Sequence, residues 1–169
     1  MAKKITALSV LTQMDKLHRE REAPSIPKNY IVGTKFSDKK ANGLEQAIVK
    51  FITLSGYQAE RIKNVGRQMP AKKIHTAMGT ITTGKAIFIP GTGTNGTPDV
   101  RATIQGKSVG IEVKIGRDTQ SDKQSDYQLS MERAGGIYYI AKDFTSFVKW
   151  YVSVFGKSEA IKEAIRSLS

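Results

Sequence analysis

Three side chains suited to phosphodiester hydrolysis lie within one short stretch of the chain: Asp99, Glu112 and Lys114. Carboxylates are the oxygen ligands that a hard divalent ion such as Mg²⁺ prefers, and we expect Mn²⁺ to substitute for it. An ammonium beside them would orient or deprotonate the attacking water and would offset charge on the scissile phosphate. These residue types therefore predict a metal-dependent hydrolytic site.

A β-hairpin must position these side chains, and the alternating apolar residues of "VRATIQGKSVGIEV" predict one. With Gly106–Lys107 as a two-residue turn, Arg101 faces Glu112 and Asp99 faces Lys114, while the other face is wholly apolar. Glu112 is then diagonal to Asp99, with Cβ atoms on the order of 7 to 8 Å apart, so that both carboxylates can reach one cation. The alternative is a solvent-exposed polar face with ordinary cross-strand ion pairs.

The segment that precedes Asp99, "GTGTNGTP", is rich in glycine. Because glycine loses much conformational entropy on folding, this route into a strand is costly unless the backbone must come close to something. The stretch also matches GxGxxG, but a strand follows where a dinucleotide-binding site needs a helix. "GTITTGKA" similarly departs from a P-loop, since Ala86 has no hydroxyl for Mg²⁺. We expect no nucleotide cofactor.

The chain is strongly basic, with 27 Lys and Arg against 15 Asp and Glu and a net charge of +12 at pH 7. No acidic residue lies between Glu60 and Asp99. That interval holds six basic residues: Arg61, Lys63, Arg67, Lys72, Lys73 and Lys85. This segment predicts binding to a polyanion such as nucleic acid. The plainer alternative is a solvated basic surface that keeps the protein soluble.

Apolar periodicity predicts helices over residues 5–19 and about 43–55 and two more after the N-caps Asp143 and Ser158. A capping box of Ser121 and Gln124 predicts a polar helix that stops at Gly135-Gly136. Strands are predicted at "YQAERIKNV", "KAIFIP" and "GIYYIA", whereas residues 66 to 84 are expected to be irregular. Asn42 is expected to cap the second helix in a capping box with Glu45.

A chain of 169 residues predicts one main domain. We divide it into an N-terminal helix and linker (1–41), the domain itself (42–157) and a C-terminal amphipathic helix (158–169). The sequence has no apolar run of roughly 20 residues, so we expect no membrane span. It has no cysteine for a disulfide or thiolate site and no evident secretory signal, which favours a cytoplasmic protein.

These motifs, in this order, resemble the PD-(D/E)XK nuclease superfamily. Pro98 and Asp99, then twelve residues, then Glu112-Val113-Lys114 are similar to its signature. Within the superfamily, the chain most resembles the VRR-NUC (virus-type replication-repair nuclease) family over about 42 to 150. That likeness is carried by "LEQAIVKFI", "ERIKNVGR", "GTPDV", "IEVKIG", "SDKQ" and "AGGIYYIA". The segment of roughly 66 to 90 is longer than a compact member of the family needs.

The resemblance implies an α/β fold with a restriction-endonuclease-like αβββαβ core, in which a mixed sheet is flanked by helices, here with an N-terminal helical appendage. It implies that Asp99 and Glu112 bind the metal, that Lys114 assists the nucleophile, and that Glu45 and Gln124 complete the site. Glu45 and Gln124 also have a plainer explanation, since each can be the third-position partner of a capping box.

The resulting expectation is an Mg²⁺-dependent DNA endonuclease, and the sequence leaves open whether it prefers branched DNA such as Holliday junctions. Because one site serves only one strand of a duplex, we also expect a homodimer, with a terminal amphipathic helix as its interface. The competing hypothesis is a basic DNA-binding module that keeps the fold without catalysis.

Overall fold

A computed structural model of the protein describes residues 5–62, 67–89 and 94–169. Within these ranges, no helix is both long enough and apolar enough to cross a membrane. A short 3₁₀ turn spans Lys28–Tyr30. The helices and strands, in chain order, are α1 (Ala7–Glu22), α2 (Ala41–Leu54), β1 (Gln58–Arg61), β2 (Arg67–Met69), β3 (Lys72–Thr76), β4 (Gly79–Thr83), β5 (Ile87–Ile89), β6 (Val100–Ile104), β7 (Lys107–Val113), α3 (Asp122–Arg133), β8 (Ile137–Ala141), α4 (Phe144–Phe155) and α5 (Glu159–Leu168).

The main sheet of the described residues has the strand order β1-β6-β7-β8. The first two pairings are antiparallel, whereas β7 and β8 are parallel and are joined through α3. Helices α2 and α4 contact the sheet, and α3 contacts β8. The prediction of an α/β protein with a mixed sheet flanked by helices is therefore confirmed.

The core lies between the sheet and helices α2 and α4, and an aromatic cluster fills it. Phe51 of α2 contacts Phe144, Phe147 and Tyr151 of α4 edge-to-face, with ring centroids 5.7, 5.8 and 5.1 Å apart. Edge-to-face pairs of this kind add about 0.5–1.5 kcal/mol each beyond the burial of apolar area. This cluster fixes α4, and hence the end of β8, against the sheet.

Helix α1 also contributes to this core, since Leu11 and Met14 are buried in the same cluster. The buried carboxylate of Asp15 connects α1 to its surroundings. It accepts hydrogen bonds from the Thr34 backbone N–H and hydroxyl, both at 2.8 Å, and lies 2.9 Å from Lys50 Nζ of α2. The division at residue 41 stays a prediction, but α1 packs directly on the elements that follow it.

Two local predictions are wrong. Helix α2 begins at Ala41 with Lys40 as its N-cap, so Asn42 lies inside the first turn and does not cap the helix. Residues 66 to 84 are not irregular where they are described, because β2 pairs with β5 and β3 with β4. The predicted N-caps Ser121, Asp143 and Ser158 are confirmed.

The buried Asp15 predicts a loss of stability in acid. Burial alone would raise the pKa of Asp15, but hydrogen bonds from Thr34 and the ion pair with Lys50 outweigh it and lower the pKa to about 2. The ionised form is thus favoured by folding, and its contribution is present above the unfolded-state pKa and lost as pH falls toward 2. We expect the difference in unfolding free energy between the wild type and Asp15→Asn to shrink by about 2 kcal/mol between pH 5 and pH 2.

Urea unfolding measured across this pH range checks the expectation. The matched control is Asp126→Asn, which removes an exposed carboxylate on α3. Its difference from the wild type should stay nearly constant. A pH-independent difference for Asp15→Asn would contradict the role given to this ion pair.

Candidate active site

The turn between β6 and β7 differs from the predicted one by one residue. Gln105 and Gly106 form it, with φ of +50° and +76°, as a type I′ turn requires at both central positions. The Gln105 side chain donates hydrogen bonds to Tyr57 Oη at 3.3 Å and to the Phe155 carbonyl at 3.0 Å, which hold it in this position. The prediction of a Gly106–Lys107 turn is wrong.

This shift changes which residues lie opposite each other but keeps the two faces of the hairpin. Val100 pairs with Ile111, and continuing the register by one pair places Asp99 directly opposite Glu112 instead of diagonal to it. Arg101 lies opposite Gly110, so its predicted pairing with Glu112 is wrong, as is that of Asp99 with Lys114. The backbone N–H of Val113 donates to Asp99 Oδ2 at 2.8 Å, which turns this carboxylate toward β7.

Glu112 is almost fully buried, with 2% of its surface exposed. Its Oε1 accepts a short hydrogen bond from Gln124 Nε2 and lies 3.1 Å from Lys114 Nζ. Its Oε2 is buried and accepts no hydrogen bond of normal geometry from the described residues. Burial raises the pKa of Glu112, and the charge of Asp99 raises it further. The site thus holds a buried carboxylate with a raised pKa, one oxygen of which contacts both Gln124 and Lys114.

The pKa of Asp99 is also raised, mainly by burial and then by the charges of Glu45 and Asp118. The Val113 N–H and the charge of Lys114 act in the opposite direction without cancelling this effect. Two facing carboxylates with raised pKa values are short of positive charge. A cation bound between them would favour the ionised form of both.

Lys114 contacts this pair through Glu112, and it too is buried, at 8% exposure. Its Nζ lies between Glu112 Oε1 at 3.1 Å and Asp118 Oδ2 at 3.5 Å. Burial alone would lower the pKa of Lys114, but the hydrogen bond and charge of Glu112, with those of Asp118, raise it overall. Lys114 is therefore held as an ammonium, which favours donating to an anion over removing a proton from water.

Gln124 fills both of the roles that the sequence left open. It completes a capping box with Ser121, donating its backbone N–H to Ser121 Oγ at 3.4 Å and accepting from the Ser121 N–H at 3.0 Å. Its side-chain amide also donates to Glu112. The start of α3 is thereby tied to the buried carboxylate.

Glu45 is held differently from the other four predicted site residues. Its carboxylate accepts from Arg61 Nε at 2.7 Å and forms an ion pair with the same guanidinium. Among the described residues, no group of three or more Asp, Glu, His or Cys side chains is arranged to hold a metal ion. The structure thus brings together Asp99, Glu112, Lys114 and Gln124, with Glu45 near Asp99 but paired with Arg61.

The residues present fit a divalent cation in their chemistry. Asp99 and Glu112 provide carboxylate oxygens, which are the donors that a hard divalent ion prefers. Oε1 of Glu112 is held by Gln124 and Lys114, whereas its Oε2 accepts no hydrogen bond of normal geometry from the described residues. The donor set therefore suits Mg²⁺ better than a softer metal, which would favour sulfur or imidazole ligands.

Two further residues of this site, Asp118 and Tyr138, were not predicted from the sequence. Tyr138 lies on β8 opposite Gly110, and its buried hydroxyl is close to Gln120 and Glu112, although neither contact has the geometry of a regular hydrogen bond. Burial raises the pKa of Tyr138, and the nearby charge of Glu112 raises it further, so the hydroxyl stays protonated. The alternation of "IYYIA" could have placed Tyr138 on the Glu112 face.

The predicted nucleic-acid-binding residues separate into three groups. Lys72, Lys73 and Lys85 are exposed. Arg61 is engaged by Glu45. Lys63 and the side chain of Arg67 lie outside the described residues.

The glycine-rich approach to Asp99 has a structural reason at Gly96. A Cβ built there would lie 2.2 Å from the carbonyl oxygen of Lys123, and its φ is +83°. The backbone leading to Asp99 therefore packs directly on the first turn of α3. The close approach inferred from the sequence is present, and its partner is α3.

No known protein-family model matches this chain, and no curated protein matches it.

Gly96→Ala should uncouple the Asp99 loop from α3. The matched control is Gly135→Ala, because Gly135 has φ of +81° but a Cβ placed on it would meet nothing within 4 Å. Both variants carry the strain of a positive φ, about 1 kcal/mol. We expect Gly96→Ala to lower the unfolding free energy by about 1–3 kcal/mol more, because Lys123 must also move. Equal losses in urea unfolding would mean that the contact does not matter.

Proposed function

We propose that the protein is a metal-dependent endonuclease that hydrolyses phosphodiester bonds in DNA. The observation that carries the proposal is the facing pair Asp99 and Glu112, whose pKa values are both raised, with the Lys114 ammonium 3.1 Å from Glu112 Oε1. A cation bound between the two carboxylates would offset the cost of burying both.

Each residue has a role in the proposed reaction. When bound, Mg²⁺ would supply Lewis-acid polarisation of the phosphate and would lower the pKa of water. Asp99 and Glu112 would hold the ion through their carboxylate oxygens, and Gln124 holds the Glu112 side chain in place through Oε1. Lys114, as an ammonium, orients the attacking water and offsets charge on the phosphate in the transition state.

The arrangement of the elements supports membership of the PD-(D/E)XK superfamily. Helix α2, strands β1, β6 and β7, helix α3 and strand β8 follow one another in the αβββαβ order that the resemblance implies, with β2 to β5 inserted after β1. Asp99 precedes β6, while Glu112 lies on β7 and Lys114 directly follows it, as the motif requires. We propose a restriction-endonuclease-like core on these grounds.

The apolar faces of α1 and α5 pack within the chain. Leu11 and Met14 of α1 and Ile161 and Ala164 of α5 are buried, and the two helices contact each other. The buried residues of these helices are therefore not free for a dimer interface, and a terminal-helix interface would have to use their exposed residues. Dimerisation itself stays a prediction, which sedimentation can test.

The proposal predicts cleavage of DNA in Mg²⁺ or Mn²⁺ that stops when EDTA is added. We expect Lys114→Ala and Asp99→Asn each to lower the cleavage rate by at least about 100-fold, as the loss of a group acting in the transition state does. The assay should offer linear and branched DNA side by side. Lys107→Ala, an exposed lysine on the same strand as Glu112, should cleave at the wild-type rate.

The competing proposal is a DNA-binding module without catalysis. It predicts that the wild type leaves every substrate intact and that DNA binding is indifferent to EDTA and to Lys114→Ala. That result would contradict the nuclease proposal and would support a DNA-binding role.

A further inference from the structure

Residues 67–89 form a two-stranded ribbon, which we call the basic ribbon. Strand β2 pairs with β5 and β3 with β4, and the second ladder is nested inside the first. Thr76 faces Gly79 at the far end, so Ala77 and Met78 make the tip. Ten residues of extended chain span roughly 30 Å, so the basic ribbon is long relative to its width.

Strands β3 and β4, which form the half of the ribbon nearer its tip, do not pack on a hydrophobic core among the described residues. Every residue of β3 and β4 is exposed, and Met78 at the tip is 100% exposed. Ile74 and Ile81 face each other across the ladder and remain 42% and 55% exposed. An isolated two-stranded hairpin is marginally stable in water, which favours a partner that covers these surfaces.

Charge indicates what kind of partner the basic ribbon fits. It has no acidic residue and carries Lys72, Lys73 and Lys85, all exposed. Lys73 lies beside threonine hydroxyls on one face, whereas Lys72 lies beside the Ile74 and Ile81 pair on the other. Both faces therefore present cations, which suits a partner that surrounds the basic ribbon with negative charge. Two copies of this surface would repel each other.

The base of the basic ribbon is tethered to the candidate active site. Ile62, which follows β1, donates its backbone N–H to the Asp99 carbonyl at 2.7 Å. Arg67, where the ribbon begins, is five residues further on, so it lies within about 18 Å of Ile62. A polyanion held at Asp99 and Glu112 is therefore within reach of the basic ribbon.

We propose that the basic ribbon enters the major groove of double-stranded DNA bound at the active site. The major groove is about 12 Å wide and admits a two-stranded ribbon, and its walls are phosphate backbones that the lysines on both faces can contact. The exposed apolar tip then meets base edges. This inference rests on the proposed function and names its substrate class as duplex DNA, in preference to single strands.

The test measures DNA binding in EDTA, so that it does not depend on cleavage. Fluorescence anisotropy of a duplex of roughly 20 base pairs, about two helical turns, is followed over a series of salt concentrations. We expect Lys72→Ala/Lys73→Ala to reduce the slope of log affinity against log salt by about 2, since two phosphate contacts are lost. Met78→Glu should weaken duplex binding at least about 10-fold, with less effect on a single strand of the same length.

The matched control, Lys107→Ala/Lys157→Ala, removes the same charge from exposed positions outside the basic ribbon. Its slope should equal the wild-type slope. The inference would be overturned if both double variants had the wild-type slope. It would also be overturned if both double variants reduced the slope by the same amount. Circular dichroism melting of each variant verifies that the fold is retained.

A shortened variant replaces residues 70–86, which include β3 and β4, with Asn-Gly. This turn joins Met69 and Ile87, the last paired residues of the β2–β5 ladder. We expect it to lose the preference for duplex over single-stranded DNA. If it instead changes the sedimentation mass and keeps that preference, the basic ribbon is a dimerisation element and the inference is wrong. A further outcome is that the wild type cleaves no substrate while Lys72→Ala/Lys73→Ala still reduces the slope of log affinity against log salt. That result would support the ribbon inference and contradict only the nuclease proposal.

Discussion

The burial of Glu112 opposite Asp99 is the constraint on which the rest of the structure depends. Removing a carboxylate from water costs on the order of several kcal/mol unless it is paired and hydrogen-bonded. Here Gln124 and Lys114 contact one oxygen of Glu112, but burial and the facing charge of Asp99 still raise its pKa. A fold selected only for stability would replace such a carboxylate with an apolar side chain. The surrounding elements instead hold the Glu112 carboxylate with too little positive charge around it, as is common at binding sites.

Strand β7 makes this possible because both of its faces are covered. Val109, Ile111 and Val113 face the core, and Gly110 and Glu112 lie on the opposite face. A Cβ at Gly110 would lie 2.9 Å from the sulfur of Met131 on α3, so the missing side chain lets α3 come close. Gly96 does the same for the Asp99 loop at the other end of that helix. Two glycines thus set the distance at which Gln124 reaches the buried carboxylate.

Local pattern predicted the faces of the hairpin and the start of α3, whereas contacts distant in sequence decided the rest. Alternation fixes which residues share a face, and a register change of two keeps that parity, so Asp99 and Glu112 lie on the same face although the predicted turn was wrong. The turn itself depends on Gln105 reaching Tyr57, 48 residues away, which no local rule contains. The capping box of Ser121 and Gln124 predicted that Gln124 lies in the first turn of α3. The pairing of Glu45 with Arg61 required knowing that α2 lies beside the end of β1, and only the fold supplies that.

Charge within the site indicates what must be bound there before a phosphate can approach. Asp99, Glu112 and Asp118, when ionised, surround the ammonium of Lys114, and Glu45 is already neutralised by Arg61. The cluster is then short of two positive charges, so it repels a phosphodiester even though the protein as a whole has a net charge of +12. Distant lysines cannot correct this, because salt screens exposed charges over about 10 Å. A divalent cation supplies the missing charge at the place where it is missing, and for this reason the proposed chemistry requires one.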